Sequence, residues 1–399
     1  MGTWWKLRLS GNSRTLALLT LGACLITLAP AAHATDATVV CAGGVGIGFP
    51  SITAALNAIG QTGPSTITVT GTCTETVGIF SAQLVTIVAG PGGASIVGPL
   101  DFDAIDIANS YDISLVNLDI GGTFSNTGNG GGGGVNVSGS IGVVIRGCTI
   151  HDNQAVGVTV TNSMVLIRDT NIQNNIPLDG LDVIGSTATL LRTTIQNNGS
   201  PGGLLEGESP TNGGSGVFIA RNSLVDFRQS NLVQNNADAG IIARLGSTLV
   251  FDGPTSTATT IRGHNLVGIF IAAGGHLQVN SPIIVQGNGG GACPPDTSCG
   301  AIVGTETSTL HLGAGTITGN RGDGISVEQG TDVRLGGATI SNNTGDGVRI
   351  RRFSIGDFSI PGRGNNTITG NGGASIFCDG RSLAIGNLSG FSNVKCGQE

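Results

Sequence analysis

Residues 157–175 read Gly157-Val-Thr-Val-Thr-Asn-Ser-Met-Val-Leu-Ile-Arg-Asp-Thr-Asn-Ile-Gln-Asn-Asn175, and the pattern restarts at Gly180-Leu-Asp-Val183, ending again on Asn198. Three short stretches alternate apolar and polar residues and are separated by Asn, Asp and Ser, which predicts three strands of period two joined by tight turns. The glycine-led triplet recurs at Gly134, Gly157, Gly180, Gly216, Gly240, Gly268, Gly300, Gly324 and Gly347. The spacings are 23, 23, 36, 24, 28, 32, 24 and 23 residues. A base period near 23 with insertions in some copies marks a solenoid, in which each copy is one coil and buries its apolar face only against its neighbours. Coils stacked at about 4.8 Å give a body roughly 50–55 Å long over about eleven rungs.

A column of amides sets the type of solenoid. Asn153, Asn175, Asn198, Asn236, Asn288, Asn320, Asn343 and Asn371 follow the third strand of successive coils, and His264 stands in the same place in one of them. Buried amides need partners, and stacking in register lets each bond the next. Asn also tolerates the left-handed conformation of a tight corner.

This ladder resembles that of pectate-lyase-like proteins. The run Ser51 to Ile59, Thr66-Ile-Thr-Val69, Glu75-Thr-Val77 and Leu84-Val-Thr-Ile87 resembles the opening of pectinesterase-like proteins. The resemblance to the pectin-lyase-like superfamily spans residues 36–399 and implies an all-β, right-handed parallel β-helix of three-stranded coils. Its members include polysaccharide lyases, hydrolases, esterases and epimerases, tailspikes and adhesins, so the fold alone selects no activity. Galacturonan hydrolases carry Asn-Thr-Asp, paired Asp, Gly-His-Gly and Arg-x-Lys motifs, and this chain has none of the four. No set of calcium carboxylates with a basic residue matches the lyases, and the catalytic segments of the methylesterases are missing.

Residues 1–34 read as an export signal. Lys6, Arg8 and Arg14 precede an apolar run from Leu16 to Pro30, and Ala32-His33-Ala34 offers a small-x-small cleavage pattern. Lipid attachment at Cys24 is the alternative. Segment 35–64 then carries a capping helix: Ser51 is the cap, and Ile52, Ala55, Leu56 and Ile59 share one face. Repeats fill 65–376, and 377–399 is expected to close the other end. Cleavage would place the protein in the periplasm, at the cell surface or outside the cell, with no membrane span in the mature chain.

Cleavage removes three of the eighteen Lys+Arg, leaving fifteen against twenty-five Asp+Glu, a net charge of about −10. Such a surface repels nucleic acid and anionic membranes. It also removes both tryptophans, leaving Tyr111 as the one tyrosine. Export permits disulfides, and position suggests Cys41–Cys73, Cys293–Cys299 and Cys378–Cys396. Cys148 falls at an inward position equivalent to Thr170 and Thr193, where a buried, unreactive thiol is expected.

Alternation points the third residue of each glycine-led unit outward on the first strand. That column reads Asp106, Asn136, Thr159, Asp182, Phe218, Ile242, Phe270, Ile302, Ser326 and Arg349. Asp179 with Asp182, one coil before an insertion that adds Glu206 and Glu208, forms the most enzyme-like group: carboxylates for acid–base work or for Ca²⁺. The plainer reading makes Asp179 a turn cap and Asp182 a strand residue. Asp323 and Asp346 stack at the 23-residue spacing and need either Ca²⁺ or Arg349 between them. Arg321-Gly322-Asp323 is too short a match to indicate an integrin partner. Phe218, Ile242, Phe270 and Ile302 either form a platform for a polysaccharide or a surface protein, or lie beneath the insertions at 199–215 and 287–299. The expected function is an exported surface, adhesion or binding scaffold with no cofactor. The alternative is a polysaccharide-active lyase, hydrolase or epimerase with an atypical site at Asp179 and Asp182.

Overall fold

The computed structural model describes residues 35–122, 132–200, 214–290, 300–359 and 364–397. Alternation produces the strands as read: Val158 and Val160 of Val158–Thr161 point inward and are fully buried, while Thr159 between them faces out. Each strand pairs in parallel with its equivalent one coil away, so Val158 lies beside Val135 on one side and Leu181 on the other. Among the described residues the first sheet has thirteen strands, from Val77–Phe80 to Val394–Cys396. That is two more than the eleven coils expected.

Register converts the repeat into a core. Val158, Leu181, Val217, Ile241, Ile269, Ile302, Ile325 and Val348 form one inward file, every member fully buried. β-branched and leucine side chains suit such files because they pack well on a pleated surface. On the second sheet Phe227 stacks on Phe251 with ring centroids 5.2 Å apart.

The amide ladder runs through the third corner. Asn175 Nδ2 donates to Asn198 Oδ1 at 2.9 Å, and Asn198 Nδ2 donates to Asn236 Oδ1 at 3.0 Å. It continues from Asn288 through Asn320 and Asn343 to Asn371 at 2.8–2.9 Å. His264 completes it as a neutral ring: Nδ1 accepts the Asn236 amide, and Nε2–H donates to the Val233 carbonyl, each at 3.2 Å. Burial drives its pKa down to about 4.

A second ladder went unread in the sequence. At the first corner the amides of Ser110, Ser140, Ser163 and Ser186 donate to the hydroxyls of Ser140, Ser163, Ser186 and Ser223, at 2.9–3.1 Å. The recurrence of Ser140, Ser163 and Ser186 at 23-residue intervals was its signal. Beside it, Asn162 and Gly185 adopt left-handed φ of 49° and 60°. A Cβ on Gly185 would approach Asn162 Oδ1 to 2.7 Å, so this corner alternates Asn with Gly.

The helix Ile52–Ile59 starts where expected. Ser51 Oγ accepts the Ala54 amide at 3.0 Å, and Ile52, Ala55 and Leu56 are buried against the first coils. Glu75 adds a carboxylate to its N-terminus, accepting the amides of Ile52 and Thr53 at 2.8 and 3.0 Å. Cys41–Cys73 and Cys378–Cys396 are joined, whereas Cys293 and Cys299 lie outside the described residues. Segment 377–399 contributes strands Leu383–Ile385 and Val394–Cys396 in register with the preceding coil. Cys148 is buried and its thiol is pushed up to about 11 by that burial.

Candidate functional site

The outward column of the first sheet is continuous in register. Asp106, Asn136, Thr159, Asp182, Phe218, Ile242 and Phe270 lie side by side, followed by Val303, Ser326 and Arg349. Ile302 therefore departs from the sequence reading: it points inward and is fully buried, and Val303 takes its place. The cause is a one-residue slip. Gly300 pairs with Val267 rather than with Gly268, and a shift of one exchanges the two faces. Phe270 and Val303 join Ala239, Val267 and Ala272 in a buried cluster separate from the main core, with Ile242 packed against it. Phe218 remains half-buried.

Asp179 and Asp182 lie together and are both buried. The Ser215 amide donates to Asp179 Oδ1 at 2.7 Å. Burial raises the Asp179 carboxyl to about 6, opposed by hydrogen bonds from Ser215 and Asp182 and reinforced by the charge of Asp238. Asp182 is pushed well above the usual carboxylate range, by burial first and then by the Asp179 charge and the hydrogen bond to it. Both carboxyls are therefore held above the usual carboxylate range, and they titrate together as one pair. Asp182 Oδ1 is buried with no hydrogen-bond partner among the described residues. Glu206 and Glu208 lie outside the described residues.

Asp103, Asp323 and Asp346 share the task of Asp179. Asp103 Oδ1 accepts the Gly133 amide at 2.9 Å, Asp323 Oδ1 the Asp346 amide at 2.8 Å, and Asp346 Oδ1 the Ala374 amide at 2.6 Å. Each carboxylate satisfies a backbone donor of the next coil, just before the first strand begins. The acceptors are anionic, which strengthens these bonds.

Arg349 stands against the Asp323–Asp346 stack, its Nε 3.3 Å from Asp323 Oδ2 and 2.8 Å from Asp346 Oδ2. Burial raises Asp323 to about 6 while Arg349 pulls it down. With two amides on the Oδ1 atoms and the guanidinium on the Oδ2 atoms, all four carboxylate oxygens are engaged. Ca²⁺ would have to displace Arg349, so this donor set does not fit the ion. Among the described residues the one group of three close metal-binding side chains is Cys41, Cys73 and Glu75, whose two sulfurs form the disulfide.

A further charged group was not anticipated. Where the third strands of neighbouring coils pair, His151 Nε2 meets Asp119 Oδ1 at 2.8 Å and Nδ1 meets Asp152 Oδ2 at 2.7 Å. Burial would lower its pKa, but the two carboxylates prevail and raise it. Asp119 and His151 sit 32 residues apart across an insertion, which hid their proximity. The outcome is an ion-paired surface group.

Comparisons with known proteins agree with this architecture. The model of the right handed beta helix region matches residues 102–256 and 215–393. No curated protein sequence matches the chain. Among solved structures, the A-module of mannuronan C-5 epimerase AlgE6 from Azotobacter vinelandii superposes with a TM-score of 0.58 at 14% identity. That match covers 87% of this chain and 98% of the module. The A-module of AlgE4 from the same organism gives 0.52 at 13%, over 87% and 100%. PfbA, a surface adhesin of Streptococcus pneumoniae, gives 0.43 at 14%, over 88% and 92%. At such identities the likeness concerns the fold alone. The family model spans most of the chain and the coils it describes are present in register: the chain belongs to the right-handed β-helix family.

Proposed function

We propose that this protein is an exported β-helix scaffold that binds polysaccharide or another surface component without transforming it. One observation carries the reading. The carboxylates best placed for chemistry are taken up by the fold: Asp179 holds the Ser215 amide in the role that Asp103, Asp323 and Asp346 repeat. Arg349 is neutralised by two of them. Such residues lack the freedom and the exposure that proton transfer to a bound sugar needs. The paired cysteines suit an oxidising compartment. No described helix is long and apolar enough to cross a membrane.

A second reading keeps polysaccharide chemistry at Asp182, as a pectate-lyase-like lyase, a hydrolase or an epimerase. The observation favouring it is a buried Asp182 carboxyl held well above the usual carboxylate range, with Oδ1 unpartnered among the described residues. Incubation with pectin, polygalacturonate and alginate, with and without Ca²⁺, separates the two. The scaffold reading expects no unsaturated uronides and no new reducing ends. Products that disappear in Asp182→Asn would replace it with the enzymatic one.

A further inference from the structure

We infer that the second sheet carries a binding groove for a neutral glycan, built around Tyr111; this rests on the polysaccharide-binding reading and adds its site and sugar class. The groove begins with an irregularity in the coils. Leu84, Asp112 and Gly142 are stacked extra residues with left-handed φ of 57°, 53° and 76°. The bulge ends abruptly: Ile141 pairs with Met164 and Val143 with Val165, leaving Gly142 without a counterpart. Bulges bend a strand and re-aim its side chains, and they gather beside binding sites. Tyr111 and Ile141 beside the bulge, and Met164 on the unbulged coil that follows, point outward on three successive coils, each about half exposed. These are large apolar side chains on a face where alternation would put polar ones.

The bulge also opens a depression. An open groove of about 440 Å³ is lined by Tyr111, Asp112, Ile141, Met164, Thr187 and Thr189, among others. Two further depressions share its lining, one through Asp112 and Gly142 and one through Ile141, Met164 and Thr187. The surface thus extends along the solenoid axis at one coil per about 4.8 Å. Gly142 cannot carry a side chain here, because a Cβ would come within 2.3 Å of Asp112 Oδ1. The glycine seats the Asp112 carboxylate in the groove.

The chemistry of this surface selects its occupant. An aromatic ring and two flexible aliphatic chains offer an apolar floor, and Asp112, Thr187 and Thr189 offer hydrogen-bonding groups at its side. A sugar has matching parts, a C–H face and a hydroxyl edge. Asp112 is the one charged residue in the lining and it is acidic, in a chain of net charge −7. Uronates and nucleic acids are repelled, and a neutral glycan is not. A second copy of the chain is a poor occupant. Four half-exposed apolar side chains, Leu84 included, amount to a few hundred Å², against about 800 Å² per partner in a stable interface.

Tyr111 is the only tyrosine in the chain, so ring-labelled tyrosine gives the full-length protein a single reporter at the site. Titrate it by NMR with xylan-, glucan- and mannan-derived oligosaccharides, and in parallel with oligogalacturonates and oligomannuronates. The inference expects a saturable shift with at least one neutral series and none with the uronates. It expects affinity measured by calorimetry to fall at least tenfold in Tyr111→Ala and in Met164→Asp, and to hold in His311→Ala further along the same sheet. A glycan that binds without moving the Tyr111 resonance would overturn the groove while leaving the scaffold reading intact. Absence of binding by every neutral series, binding of uronates alone, or a dimer that dissociates in Tyr111→Ala would each overturn it as well.

Discussion

The amide of Ser215 meets Asp179 Oδ1 at 2.7 Å across one coil step, as the amide of Asp346 meets Asp323 Oδ1 at 2.8 Å later in the same column. A buried donor deprived of its acceptor keeps its desolvation cost. Asp179→Ala is therefore expected to lower stability by about 1–3 kcal/mol. Asp179→Asn, which retains an acceptor, should cost less. Urea unfolding checks both, and equal losses in the two variants would contradict the assigned role.

The same pair makes stability depend on pH. Asp179 titrates near 6 in the fold, above its ordinary value of 3.8, so the folded state binds the extra proton between these values. The contribution is fully present below about pH 4 and fades as pH rises through 6. Asp179→Asn removes this acid while keeping an acceptor for the Ser215 amide, and is expected to flatten the slope. Thermal melts from pH 4 to 8 decide it. A slope unchanged in the variant would show that another group is responsible.

His264 works in the opposite direction in the same window. Its pKa falls from 6.5 to about 4 on burial, so the unfolded chain binds the proton and stability is lost as pH drops through that interval. The full effect is about 3 kcal/mol. Protonation at Nδ1 would remove the acceptor of the Asn236 amide. His264→Asn restores the residue type of the neighbouring coils and should remove this dependence. Comparing its unfolding at pH 5 and pH 7 with that of the wild type is the measurement, and an unaltered difference would contradict the ladder assignment.

Arg349 holds the position a cation would take between Asp323 and Asp346. The melting temperature of the wild type is accordingly expected to be indifferent to Ca²⁺. Removing one partner of a buried ion group typically costs about 3–5 kcal/mol. Arg349→Met should approach that loss at neutral pH and recover part of it as the carboxylates protonate. A Ca²⁺-dependent rise in the melting temperature of the wild type would refute this account of the stack.

Much of the scaffold was legible because a solenoid writes its contacts into one period. The Gly180-Leu-Asp-Val183 pattern located an inward file, and Asn175 and Asn198 announced the ladder before any pairing was known. Ile302 was misassigned where the period is least visible: after an insertion, Gly300 imitates the motif glycine although Ala301 occupies that place in register. The serine ladder hid among turn residues that Ser favours anyway. Alternation correctly turned Asp182 outward, yet it carries no information about what lies above a sheet. Its burial and its pairing with Asp179 were therefore beyond reach. The bulge at Leu84, Asp112 and Gly142 likewise leaves only a faint trace, one extra residue in each of three coils.

On the scaffold reading, the buried Asp179–Asp182 pair serves the fold and acts on no sugar. Epimerisation of a uronan removes the C5 proton beside the carboxylate and returns one from solvent, which labels C5 in D₂O, whereas β-elimination removes the same proton, expels the C4 oxygen and leaves a C4=C5 double bond that the screen for unsaturated uronides detects. The direct measurement is deuterium incorporation at C5 of polymannuronate and polygalacturonate, incubated in D₂O with stoichiometric protein, with and without Ca²⁺. The scaffold account predicts no incorporation above the protein-free control. Incorporation by the wild type that is lost in Asp182→Asn would contradict it and assign the buried pair to catalysis.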